Sequence, residues 1–202
     1  MKLYYLAGAC SLASHISLLE AGVAHTAIAV DRQTRIAADG QDFRKLNPIG
    51  YVPVLVLDSG ELLTESAVLL PYIGSLNPAA RLIPAPGTIG AYRVAEWCAY
   101  ISTEVHKAVG PIFRPGTTDE QKTAARDLAT GRLRFIEGGL GDKPFLTGSD
   151  FTVADAFLYV ILSWSPRTGV DLAALPRLAG LYERVRQRPS VLAARKDEGL
   201  PA

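Results

Sequence analysis

The sequence predicts two domains: an α/β domain with strands and helices in the order β-α-β…β-β-α, then an all-helical domain. Three observations carry this expectation. Up to about residue 76, short runs rich in Leu, Tyr and β-branched residues alternate with a helical stripe. Residues 77–87 then bring Pro78, Pro84, Pro86 and Gly87, the composition of a linker. Beyond them strand signals vanish and only helical periodicity remains. Strands first and helices afterwards mean two domains rather than one continuous α/β sheet. The expected division is 1–77 and 88–202, with 78–87 between.

In the first domain, residues 2–6 read as a buried strand stopped by Gly8. Residues 11–21 place Leu12, Ile16 and Leu19 at helical spacing, closed by Gly22. Residues 26–30 form a second strand, and connections this short imply a right-handed parallel unit. Residues 31–41 are polar and read as loop, with a helical turn after them. Two further strands, 52–57 and 61–64, bracket Asp58-Ser59-Gly60, a hairpin loop with Gly at its left-handed position. A helix starting near Glu65 completes the arrangement of a thioredoxin-like domain. Pro71 lies inside it, removes one backbone donor, and is expected to kink or shorten it.

In the second domain, Val94, Trp97, Ile101 and Val105 mark the core stripe of a long helix. Thr118-Asp119-Glu120-Gln121 is a capping box for a helix whose inner face carries Ala125, Ala129, Leu133 and Ile136. Thr152-Val153-Ala154-Asp155 is a close variant, with Phe151 placed to staple against Ala156. Residues 175–187 form a further helix, ended before Pro189.

Composition narrows the function. With 21 Lys and Arg against 20 Asp and Glu, the net charge is +1, which gives no electrostatic footprint for nucleic acid or an acidic membrane. The opening apolar stretch is too short for a secretion signal, and no segment approaches a membrane span. The two cysteines, Cys10 and Cys98, form no C-x-x-C pair and suit a reducing compartment, the cytoplasm. His15, His25 and His106 are too scattered to suggest a metal site.

Four places could carry chemistry. Cys10 stands at a strand-to-helix turn, where the helix start favours a negative sulfur, so its thiolate is expected to form more readily than in free cysteine. The plainer reading is a small buried hydrophobe. Val52-Pro53 opens a strand, and sequence does not decide between its cis and trans forms. Glu65-Ser66 opens the next helix. It reads either as ordinary capping by Ser66 or as a holder for the ammonium and carboxylate of an α-amino acid. Ala99, Thr103 and His106 share a second face of the long helix, with Lys107 adjacent; taken alone, such a histidine is an ordinary helix residue.

Taken in order, Ala9-Cys10-Ser11, Val52-Pro53, Glu65-Ser66, His106-Lys107 and Thr152-x-x-Asp155 resemble a bacterial beta-class glutathione transferase over essentially the whole chain. The resemblance implies the glutathione transferase fold, a homodimer, and glutathione as co-substrate with no metal. It implies that Ala9, Cys10, Tyr51 and Val52, with Pro53 in cis, line the glutathione site, and that Glu65 and Ser66 hold the γ-glutamyl head. His106 and Lys107 would reach over from the helical domain, and Glu104 would cross to the neighbouring subunit's ligand. Two positions depart from the pattern. Ala99 replaces a usual Asn, and Arg35 replaces a Lys that meets the glycyl carboxylate, keeping the charge.

The expected reaction is conjugation of the glutathione thiolate to a small hydrophobic electrophile. Cys10 and Ser11 would be donors to the sulfur, and His106 a donor or base. Phe113, Arg114 and Trp164 would wall the electrophile pocket. Glutathione-dependent thiol–disulfide exchange through Cys10 is a second enzymatic reading. A non-catalytic ligand- or protein-binding member of the same fold is the alternative from another class.

Overall fold

The computed structural model describes residues 1–201. Strands β1 (Lys2–Tyr5), β2 (Thr26–Ala29), β3 (Val54–Val56) and β4 (Leu62–Thr64) form one mixed sheet in the order β2-β1-β3-β4. β1 runs parallel to β2 with Leu3 opposite Ala27, and antiparallel to β3 with Leu3 opposite Leu55. The alternation of side chains along these strands divides the sheet into two faces. Leu3 and Leu55 pack with Leu18, Leu69 and Ile73, beneath helices α1 (Ser11–Glu20) and α3 (Ser66–Ser75). Tyr4, Ile28 and Val54 pack on the other face against Phe43 of the short helix α2 (Phe43–Leu46). The hairpin loop is as expected, with Gly60 at φ +89°.

After the linker come α4 (Ile89–Tyr100), a π-helical stretch (Ile101–His106), α5 (Lys107–Val109), α6 (Asp119–Leu140), α7 (Val153–Leu162), α8 (Ser165–Thr168), α9 (Pro176–Arg186) and α10 (Pro189–Asp197). Every residue of α7 is buried, so this helix is the central pillar. α1 packs against α3, α7 and α10. The largest apolar core accordingly runs past the linker, joining Leu12, Ile16 and Leu70 to Phe157, Val160 and Leu181.

Several local expectations need correction. α3 continues through Pro71 to Ser75 rather than stopping there; only one internal bond is lost, and Leu69, Leu70 and Ile73 hold the helix by burial. The cap position of α3 is Glu65 itself, and Ser66 is the first helical residue. In α4 the fully buried partner of Val94 and Ile101 is Cys98, while Trp97 is only partly buried, against Tyr100 and Phe135. The long helix also widens into a π-turn at Ile101–His106, and α10 lies beyond the last helix expected.

Candidate functional site

The site is built on the two places where a strand hands over to a helix. β1 leaves the sheet into a turn that places Cys10 at the cap position of α1, with no side-chain capping bond. The hairpin β3–β4 likewise delivers Glu65 to the cap of α3, again with no capping bond. Both helix starts therefore keep backbone N–H groups without the side-chain partner that a Ser, Thr or Asp would supply. Glu65 has φ +65° and ψ 113°, a backbone conformation that costs a non-glycine residue roughly 1–3 kcal/mol and clusters at functional sites.

Between these starts lies a cleft of about 290 Å³ whose walls include Cys10, Arg35, Val52, Glu65, Ser66 and His106. The Val52–Pro53 peptide bond is cis. The Cys10 Sγ donates to the Val52 carbonyl at 3.3 Å, tying the first helix start to the cis peptide. Asn47 holds the same loop from beneath, its Nδ2 donating to the Tyr51 carbonyl at 2.8 Å. Arg35 reaches the cleft from the loop after β2, and its Nη1 is buried without a hydrogen-bond partner. A buried, unpaired guanidinium nitrogen is costly unless a ligand supplies the acceptor.

The electrostatics of Cys10 reverse one expectation. Burial pushes its thiol up to about 11, outweighing the lowering effect of Ser66 and the backbone N–H groups at the helix start. Far from being readily ionised, the Cys10 sulfur is a neutral thiol at physiological pH, and the Val52 carbonyl that accepts its proton favours that state. His106 is pulled below its usual value by burial and is neutral at pH 7. Its ring lies 5.3 Å from that of Trp164, which meets Phe113 edge-on at 5.6 Å. An aromatic wall thus leads out of the cleft.

The turn before Cys10 is clamped from the far end of the chain. Gly8 donates its N–H to Glu198 Oε2 at 2.9 Å, and its carbonyl accepts from Trp164 Nε1 at 2.9 Å. Glu198 is buried, and its other oxygen meets His15 Nδ1 at 3.1 Å. Gly8 sits at φ +67°, a conformation glycine adopts without penalty.

Comparison with known proteins decides the lineage. The sequence profiles of the glutathione S-transferase N-terminal and C-terminal domains match residues 7–76 and 100–189. The chain belongs to the glutathione S-transferase family. It is 39% identical over 200 residues to glutathione S-transferase GstA of Escherichia coli O157:H7, covering 99% of this chain and all of that one. Among solved structures, a sphingomonad glutathione S-transferase complexed with glutathione superposes with a TM-score of 0.95 at 44% identity over both full chains. The bacterial beta-class glutathione S-transferase of Sphingomonas chungbukensis gives 0.95 at 46%, again over both full chains.

Against this family background, the residues singled out from sequence fall into two groups. Cys10, Arg35, Tyr51, Val52, Pro53, Glu65, Ser66 and His106 all line the one cleft. The others stand apart from it. The Ser11 hydroxyl is fully buried and exchanges hydrogen bonds with the backbone of Leu6 at 3.2 and 3.3 Å, tying the turn. Ala9 packs into the core beneath the sheet. Lys107 is exposed, and Glu104 pairs with Arg132 Nε at 2.9 Å. Trp164 lies one ring beyond His106 and Phe113 one ring beyond Trp164, whereas Arg114 is exposed.

Sequence reasoning missed Asn47, Thr64 and Ser102, which also line the cleft. The Asn47-Pro48 pair is a turn signal that pointed to the first. Ser102 lies four residues before His106, an ordinary same-face helical spacing that could have found it beside the chosen Ala99 and Thr103.

Proposed function

We propose that the chain binds glutathione in the cis-proline cleft, stabilises its thiolate there, and transfers it to a small hydrophobic electrophile. The observation that carries this reading is the buried Arg35 Nη1 without a partner, which calls for a carboxylate. The glycyl carboxylate would take it in charge-assisted fashion. At the other end, Glu65 would hold the γ-glutamyl ammonium, with Ser66 and the uncapped N–H groups of α3 on the adjoining carboxylate. The backbone of Val52 would align the cysteinyl unit.

In this arrangement the Cys10 thiol, being protonated, is suited to donate a hydrogen bond to a glutathione sulfur rather than to attack. That favours conjugation over exchange as the main reaction. Neutral His106 would be a second donor, and Trp164 and Phe113 would face the electrophile. Exchange is the second reading, favoured by the placement of Cys10 in the cleft wall. The Cys10 proton would first leave to solvent; the thiolate would then attack a glutathionylated disulfide, expelling one thiolate and forming a mixed disulfide. A second glutathione thiolate would attack the glutathione sulfur of that mixed disulfide, releasing Cys10 and glutathione disulfide.

The test of the ligand assignment is a calorimetric titration of Glu65→Ala with glutathione. Loss of a charge-assisted partner typically costs about 2–5 kcal/mol, so affinity should fall more than tenfold. Unchanged affinity would put glutathione elsewhere.

The homodimer reading draws on large apolar side chains left exposed along α3, α4 and α6, among them Val68, Tyr92, Leu128 and Phe135. Glu104, beside that surface, would then act across the interface. Light scattering at micromolar concentration should return twice the mass of one chain; the mass of a single chain would remove any role for Glu104 across subunits. Two unpaired thiols suit a cytoplasmic setting, and no helix among the described residues is long and apolar enough to cross a membrane.

A further inference from the structure

We propose that Arg167 sets the charge preference of the electrophile pocket, selecting aromatic electrophiles that carry a carboxylate or sulfonate on the ring edge away from the reacting carbon. The inference rests on the conjugation reading above and gives it a substrate class.

The geometry is a file of side chains that begins in the cleft and ends in solvent. His106, on the cleft wall, meets the Trp164 ring at 5.3 Å, and Trp164 meets Phe113 at 5.6 Å. Over the Phe113 ring lies the Arg167 guanidinium, its central carbon 5.4 Å from the ring centroid. Phe113 is 43% exposed and Trp164 only 5%, so the file opens outward at the end that Arg167 occupies. Stacking on an aromatic ring engages the face of a guanidinium and leaves its N–H edge free, and that edge matches a carboxylate with two parallel bonds. The base of Arg167 is fixed. Its helix, α8, follows directly on Trp164, whose Nε1 donates to the Gly8 carbonyl, and Arg126 Nε donates to the Thr168 carbonyl at 3.0 Å.

Charge points the same way. The two segments that supply the wall contain cations and no carboxylate: residues 105–118 carry Lys107 and Arg114, and residues 156–170 carry Arg167. All three are exposed, and none has an ion-pair partner among the described residues. The carboxylates nearest along the chain are engaged elsewhere. Glu104 pairs with Arg132, Asp119 with Lys122, and Asp171 accepts from the Ala173 N–H. The mouth is therefore positive although the whole chain carries only +1. Of its three cations, Arg167 is the one stacked on the wall. It makes and breaks no bond in the reaction. The glutathione thiolate, its proton lost to solvent, bonds to the halogen-bearing ring carbon, and halide leaves with the bonding pair.

The test pairs 4-chloro-3,5-dinitrobenzoate with its methyl ester, which present the same reacting carbon and differ in charge. With glutathione saturating, kcat/KM is measured for both on the full-length protein and on Arg167→Gln and Arg167→Glu. Arg167 is exposed, so both variants are expected to fold. The benzoate-to-ester ratio should fall about fivefold in Arg167→Gln, between the effect of an exposed ion pair and that of a desolvated one, and further in Arg167→Glu. Salt at about 1 M should lower the ratio more in the parent than in Arg167→Gln, because it screens the charge that only the parent has. A ratio changed less than about twofold in Arg167→Gln, below what even an exposed ion pair can give, would overturn the proposal. So would equal losses on both compounds, the result if Arg167 merely props Phe113. A parent protein that conjugates neither compound would instead refute the conjugation reading, and the proposal with it.

Discussion

Four helix starts in this molecule divide into two pairs. The starts of α6 and α7 are closed by their own side chains: Thr118 Oγ1 accepts from the Gln121 N–H, and Asp155 accepts from the Thr152 N–H and hydroxyl. The starts of α1 and α3, at Cys10 and Glu65, have no side-chain cap and both border the cleft. The difference teaches how to separate structure from function in such a fold. A capped start is complete in itself, whereas an uncapped one beside a cavity holds donors in reserve for a ligand. Within the capped pair there is a second contrast. Thr118 and Gln121 are exposed or nearly so, while Asp155 is fully buried and also accepts from the Leu146 N–H at 2.8 Å.

The largest effect should come from Asp155→Ala. It would strand buried donors of Leu146 and Thr152 in the pillar of the fold, at a cost of about 3–5 kcal/mol, visible as a large fall in Tm. Burial raises the Asp155 carboxyl to about 6 despite its three hydrogen bonds, so the folded protein holds that proton more tightly than the unfolded chain does. Its contribution to stability accordingly declines as pH rises from the ordinary carboxyl range towards 6. If Asp155→Ala melts within a degree or two of the parent, the distinction between buried and exposed boxes fails.

Cys10→Ala probes the uncapped pair. Since Cys10 supplies no capping bond, its replacement should cost at most about 1–2 kcal/mol of stability. Exchange through a mixed disulfide has no route without the sulfur and should vanish. Conjugation should survive, reduced by less than about a hundredfold, because a thiol is a weak donor and the helix start remains. Both activities are to be measured on one preparation that still binds glutathione; loss of conjugation with survival of exchange would refute the role given to Cys10. The smallest effect belongs to Thr118→Ala. An exposed cap is worth about 1 kcal/mol, so a modest fall in unfolding free energy with unchanged catalysis is expected from denaturant titration.

How much of this was readable in the sequence follows the range of each interaction. The order of elements, the Gly60 loop and the Thr118 box rest on residues within a turn of one another, and periodicity exposed them. The family likeness rested on motifs that are individually weak and informative only in series. What escaped depended on distant partners. The ionisation of Cys10 looked easy because its helix start is local, but burial beneath residues far along the chain outweighs the dipole. Ser11 looked available because nothing in its neighbourhood signals that Leu6 turns back to engage it. The form of the Val52–Pro53 bond has no local signature, and the π-turn at residues 101–106 arises in a run that reads as ordinary helix.

The clamp on Gly8 also orders events in time. Its N–H is bound by a residue 190 positions further along the chain and its carbonyl by one 156 positions further along. Contacts of such separation carry the greatest loop-closure cost and are disfavoured until intervening structure has drawn the chain together. The β3–β4 hairpin that delivers Glu65 is local and can form early. The turn between β1 and α1 is therefore expected to take its final shape late in folding, once Trp164 and Glu198 have docked on Gly8.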